Sequence, residues 1–303
     1  MDAPPLLFDR ALHRRRLDRA ARAPADASFL RARAAEDAVQ RLEAIMRDFP
    51  VAVELGAREG SFAQALAESS AGDRIGLLVE TDLSLPMLAG RGGPRVAADE
   101  ERLPFAPESL DLVVSNLALH WTNDLPGALV QIRRALKPDG LFIGSIFGGR
   151  TLIELRQTLL EAETEIAGGA GPRVSPFAEV TDAARLLQRT GFALPVADAD
   201  AVPVFYGDPL ALLRDLRAMG ETGVLLDRPA RPLTRAVLAR MFELYAARFA
   251  RADGKVAATF EIVTMTGWAP HASQQQPLRP GSAKMRLADA LGAHEGKPAD
   301  RAG

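Results

Sequence analysis

An α/β fold with a mainly parallel central sheet is predicted by three observations. Short, continuously apolar runs alternate with helical segments through the middle of the chain. Those runs lack the apolar–polar alternation of a half-exposed strand, as strands covered on both faces do. The first of them, VAVEL at 51–55, runs directly into a glycine-containing turn and then a helix. That is the order in which an open α/β sheet presents a ligand site at the carboxyl end of a strand. An N-terminal helical arm precedes this core, and an added lobe of helices and β-structure follows it.

The arm takes residues 1–49. Its segment FLRARAAEDAVQRLEAIMRDF (29–49) puts Phe29, Leu30, Val39, Leu42, Ile45 and Met46 on one helical face. Pro50 is expected to stop that helix. The ligand-binding core takes residues 50–150. After Gly60, SFAQALAESS reads as a helix, RIGLLVE (74–80) as a second buried strand, and LPMLAG as a helix start. DLVVSNL (111–117) is a further strand. LPGALVQIRRAL (125–136) is a helix closed by KPDG, where Pro138 stops it and Gly140 supplies a positive φ. LFIGSIF (141–147) returns to the sheet. The rest, 151–270, holds a helix at 151–166, a Gly/Pro loop at 168–177, and a helix at 179–192 entering a strand at Phe192. Two more helices follow at 208–221 and 234–250, then a last strand at 256–268. The tail, 271–303, is rich in Gln, Pro, Gly and Lys and is expected to be loosely ordered.

Composition narrows the function classes. With 303 residues and 48% hydrophobic content, the chain can bury a sizeable core. A formal net charge of −2 argues against a general nucleic-acid binder. There is no cysteine, which excludes disulfides, thiolate zinc sites and cysteine nucleophiles. No apolar run approaches the roughly 20 residues of a membrane span, and the N-terminus lacks a secretory apolar stretch. The expectation is a cytoplasmic protein with no integral membrane segment; peripheral contact with the inner membrane stays open. Residues 1–23 carry six arginines against three aspartates, which reads as a solvated helix or a docking arm rather than a transit peptide.

The chemistry-bearing residues sit at successive strand ends. In VELGAREG, Gly56 allows a tight turn and Gly60 lets the next helix begin beneath a ligand. Asp82 closes the second strand, where an acid can accept both hydrogen bonds of a ribose diol. Asp99, in VAADEERLPF, stands where a third strand should end. His120 is either a general base near neutral pH or a residue that positions the next helix. Arg150, after the glycine pair of FGGR, either contacts substrate or is a surface arginine. His120 and Asp124 form an isolated i, i+4 pair, so no metal is expected. There is no Gly-x-Ser-x-Gly and no P-loop.

The succession VELGAREG, VETDLSLPML, ADEERLPF, LDLVVSNLALHW and LKPDGLF resembles the class I S-adenosylmethionine-dependent methyltransferases. Within them, LFDRALHRRR, FGGRTLIELR, MGE and PLRPGSAK are most similar to the mitochondrial complex I assembly factors of the arginine-hydroxylase family. The chain is related also to the biotin-pathway malonyl-carrier methyltransferases. The resemblance implies a Rossmann-like fold with S-adenosylmethionine as cofactor. It implies Glu54 at the methionine end, the turn at Gly56 and Gly60 beside it, and Asp82 and Leu83 at the ribose. It places Asp99 and the Glu100 amide at the adenine, and Ser115, Asn116 and Leu117 facing the sulfonium. One position departs from the family pattern: Arg58 stands where glycine is usual, and it either crowds the site or pairs with the ligand. The implied partner is a protein client, a subunit of the respiratory NADH dehydrogenase. Methyl transfer, arginine hydroxylation and non-catalytic assembly all remain open at this stage.

Overall fold

The computed structural model describes residues 6–22 and 25–275. The PLRPGSAK segment and most of the tail lie outside the described residues. The described residues up to Pro270 form one compact unit, and His271–Gln275 fall in a second.

In the first unit the order is α1 (Arg10–Ala20), α2 (Phe29–Ala44), β1 (Phe49–Leu55), α3 (Ser61–Ala67), β2 (Ile75–Asp82), β3 (Arg95–Ala97) and β4 (Leu110–Asn116). There follow α4 (Leu125–Ala135), β5 (Leu136–Phe147), α5 (Ile153–Ala167), α6 (Val180–Arg189), β6 (Ala193–Tyr206), α7 (Pro209–Ala218), α8 (Arg235–Phe249) and β7 (Val256–Trp268). The seven strands form one sheet in the order β3-β2-β1-β4-β5-β7-β6. The five strands from β3 to β5 are parallel, while β7 runs antiparallel to both β5 and β6. The strand order reverses between β1 and β4, so the crevice beyond their carboxyl ends is the switch point of the sheet.

Apolar side chains cover both faces. Val53, Val113 and Phe142 pack with Leu129 and Ile132 of α4 and Leu187 of α6. Ala52, Leu112 and Ile143 pack on the other face with Val39 and Leu42 of α2 and Phe62 of α3. Burial of each large side chain contributes about 1.5–3 kcal/mol. A further cluster joins Leu155 and Leu159 of α5, Met241 and Tyr245 of α8, and Phe260 of β7, forming the interior of the added lobe.

Three local expectations are corrected. α2 ends at Ala44 rather than at Pro50, because Ile45 turns extended and Phe49 is already buried in β1; Met46 is therefore 91% exposed. LPMLAG gives only a 3-10 turn, Leu85–Leu88. In KPDG the positive φ (63°) belongs to Asp139, not Gly140, and Gly140 serves instead by close approach, since a Cβ there would meet the Lys137 carbonyl at 2.9 Å. The strand entered near Phe192 is a full 14 residues long.

The arm docks. Asp9 caps α1 by accepting from the Leu12 amide (2.8 Å). His13, Leu17 and Ala20 are buried beneath α1, and Phe8 meets Trp121 edge-on with centroids 5.3 Å apart. Among the described residues, no helix is long and apolar enough to cross a membrane.

Candidate functional site

The turn between β1 and α3 lies at the switch point. Gly56 has φ 71°, and a Cβ there would collide with the Ala118 side chain at 2.2 Å. Gly60 caps α3 at φ 93°. Between them Arg58 also adopts a left-handed φ, 48°, at a cost of about 1–2 kcal/mol for a residue with a Cβ.

That cost is offset by what Arg58 reaches. Its side chain is fully buried, and Nη1 lies 2.8 Å from Asp82 Oδ2, itself fully buried. The Arg58 amide donates to the same oxygen at 3.0 Å, and the Ser84 amide donates to Oδ1 at 2.7 Å. Asp82 thus spends both oxygens inside the chain. Burial alone would lower the Arg58 pKa, but the carboxylates of Asp82, Glu100 and Glu221 together outweigh it and raise it. Leu83 packs against the Leu17, Ala20 and Met87 cluster under α1.

A second arginine holds the next acids. Arg10 of α1 donates to Asp99 (2.6 Å), to Glu100 and to the Trp121 carbonyl (3.1 Å). Beside it, burial and the charges of Arg58 and Arg10 push the His13 imidazole well below its usual range, so it is neutral. On the β4 side, Ser115 Oγ donates to the Leu55 carbonyl (3.2 Å) and Asn116 Nδ2 to the Arg31 carbonyl (3.0 Å). Leu117 turns left-handed at φ 50°.

Glu54 differs from the other acids. It is buried, its Oε2 has no partner among the described residues, and burial pushes its carboxyl up to about 8. Further buried atoms around the turn also lack a hydrogen bond: Arg58 Nε and Nη2, Glu100 Oε1, Arg31 Nε, His13 Nε2 and His120 Nδ1. Buried polar atoms are normally satisfied; a group of them at a switch point marks a place built for a polar ligand. A cavity of about 220 Å³ opens beside the turn, lined by Ala20, Arg31, Glu59, Met87, Arg91 and Met219 among others.

His120 and Trp121 both face Glu221: His120 Nε2 lies 3.2 Å from Oε2, and Trp121 Nε1 donates to it at 2.8 Å. Arg31 donates to Oε1 at 2.7 Å. Burial would raise the Glu221 pKa, but the hydrogen bond with His120 and the nearby arginines outweigh it and hold it low. Removing this hub strands a buried guanidinium, so Glu221→Ala is expected to cost about 3–5 kcal/mol in urea unfolding; a loss under about 1 kcal/mol would show that the hub contributes little. Arg150 sits apart from this cluster, with an exposed side chain and an amide that donates to Glu261 at 3.2 Å. The preceding glycines lie close to two carboxylates: Cβ atoms at Gly148 and Gly149 would meet Glu261 and Glu179 at 2.3 and 2.1 Å, which those side chains would have to move aside to admit.

Glu54, Gly56, Gly60, Asp82, Asp99, Glu100 and the end of β4 are thus gathered at one crevice. The residues not foreseen are Arg10, His13, Arg31 and Glu221. Two of these lie in LFDRALHRRR and one in MGE, so the signal was present as motif without a role attached. Among the described residues no His/Asp/Glu cluster of metal-binding kind occurs.

Residues 53–144 match the methyltransferase domain family. The chain is 40% identical over 290 residues to human mitochondrial arginine-hydroxylase NDUFAF5, covering 93% of this chain and 83% of that protein. It is 33% identical over 291 residues to the malonyl-[acyl-carrier protein] O-methyltransferase of Methylovorus, covering 91% and 95%. Among solved structures, a candidate methyltransferase from Bacillus halodurans shares the fold with a TM-score of 0.53 at 15% identity, over 78% of this chain and 99% of that one. S-adenosylmethionine is the cofactor of this domain. The unpartnered Glu54 carboxyl fits its cationic methionine end. Asp82 and Asp99, the acids that the sequence resemblance assigns to ribose and adenine, are held by Arg58 and Arg10.

Proposed function

The chain belongs to the methyltransferase-domain family that contains arginine-hydroxylase NDUFAF5 and malonyl-[acyl-carrier protein] O-methyltransferase, and from that premise we propose that it uses S-adenosylmethionine to modify a protein client, a subunit of the bacterial respiratory NADH dehydrogenase, during assembly of that complex at the cytoplasmic side of the inner membrane. The observation that carries the reading is the crevice of buried, unpartnered polar atoms around Glu54 and the Gly56–Gly60 turn. Methyl transfer asks a site mainly for alignment and exclusion of water, and these buried groups offer both. Glu54 would hold the cofactor's amino group; Asp82 and Asp99 would take the nucleoside once Arg58 and Arg10 release them. His120 is a positioning residue here, through Glu221.

A second reading, hydroxylation of a client arginine by dioxygen with a redox partner that supplies the reducing electrons, is favoured by the 40% identity to proteins named arginine-hydroxylase. Both readings are tested by comparing NADH dehydrogenase subunits, by intact-protein and peptide mass spectrometry, from cells with and without the gene. A methyl and a hydroxyl group differ in mass, so the product identifies the reaction. Subunits unchanged in mass, with the complex assembled normally, would sink both.

A further inference from the structure

A groove between α1 and α7 is lined by Arg19, Arg22, Arg214 and Arg217, with Ala20 and Ala218 at its floor. Several other arginines have an acid at hand: Arg33 pairs with Asp200, Arg41 with Asp37 and Asp198, Arg240 with Glu165, and Arg248 with Glu161. The four in the groove make no ion pair or side-chain hydrogen bond with a described residue. The acids on the same helices are turned away. Asp18 accepts from Ser84 Oγ at 2.6 Å, and Asp215 lies against the Tyr206 hydroxyl. Arg214 and Arg217 are three residues apart on α7, a like-charge spacing that weakens a helix unless something opposes it, and Arg19 and Arg22 stand at and just beyond the end of α1. In a chain of net charge −2 this is a local concentration of positive charge without internal compensation.

Its position gives it a use. Ala20 and Ala218 also line the cavity beside the Gly56–Gly60 turn, so the groove leads into the mouth of the candidate site. We infer that this groove docks an acidic segment of the partner protein and so sets which part of it faces the site. A bilayer contact would call for exposed apolar side chains beside the arginines, and among the described residues of α7 Leu210 is the one large apolar side chain that stands exposed. The inference rests on the preceding reading only in taking the partner to be a protein; it does not depend on which group is transferred.

The test uses the full chain and a fluorescent poly-glutamate peptide, followed by anisotropy across a salt series. Arg214→Glu/Arg217→Glu and Arg19→Glu/Arg22→Glu are each expected to weaken binding about tenfold and to flatten its salt dependence. Arg185→Glu/Arg189→Glu on α6, with the same change in net charge, is expected to leave it within about twofold. Calorimetry of the same variants with S-adenosylmethionine should show unchanged affinity, which separates loss of docking from loss of the cofactor site. Equal weakening by the α6 pair, or no weakening by the groove pairs, overturns the inference. So does binding of the wild type to phosphatidylglycerol vesicles but not to the peptide, which would make the groove a membrane contact.

Discussion

Arg58→Gly is expected to tighten binding of S-adenosylmethionine by about ten- to a hundredfold. Three effects combine. Glycine accepts the φ of 48° at no steric cost. Removal of the guanidinium empties the space beside Asp82. Asp82 Oδ2, which now takes both the Arg58 amide and Nη1, gains a free lone pair for a ribose hydroxyl. The ligand-free protein should meanwhile lose about 3–5 kcal/mol, because Asp82 becomes a buried charge without its partner, and ligand should restore part of that loss. Calorimetric titration and urea unfolding with and without ligand read the two effects. Weaker binding in the variant would show that Arg58 grips the ligand rather than excluding it. Asp82→Ala supplies the contrast: it strands Arg58 to a similar extent, but should gain no affinity.

The second large effect follows from Glu54. Its carboxyl is pushed from 4.5 to about 8 by burial, so near neutral pH the folded protein holds a proton that the unfolded chain has released. The folded state binds the extra proton between these two values, so the contribution of Glu54 to stability is fully present below about pH 4.5 and is lost as pH rises toward 8. The full decline corresponds to on the order of 5 kcal/mol. Glu54→Gln keeps the neutral shape and removes the titration. Unfolding curves of wild type and variant should therefore diverge with rising pH, the variant becoming the more stable. Parallel curves would place the Glu54 proton elsewhere. A cationic ligand amino group should draw the proton off, so binding to the wild type should release a proton and that release should vanish in Glu54→Gln. Titrations in buffers of different ionisation enthalpy detect it.

The parts of this molecule readable from sequence were those with local signatures. β1, the glycine turn and α3 are contiguous, and the apolar runs of β2, β4 and β5 mark strands buried on both faces. β6 was seen only at its start because it is an edge strand: its ADADAV stretch alternates small and acidic residues, which suits solvent on one side and pairing to β7 on the other. The pairs that define the site were not legible for a different reason. Arg10 with Asp99, and Arg31 with Glu221, join residues 89 and 190 positions apart, and no periodicity connects them. Arg58 was readable as an oddity, but its reach to Asp82 needed the fold.

The antiparallel placement of β7 has a consequence for biogenesis. The last strand of the sheet in sequence lies between β5 and β6 in space, pairing with β6 from Ala193–Trp268 to Tyr206–Val256. As the chain emerges from the ribosome, β1 to β5 can assemble as each appears, while β6 has no neighbour until Val256–Trp268 has left the exit tunnel. Until then β5 and β6 both present open edges, the state in which nascent sheets recruit other chains. A stalled or truncated product ending before Val256 should therefore be a chaperone client and a seed for aggregation, even though every residue of the candidate crevice up to Glu221 is already present.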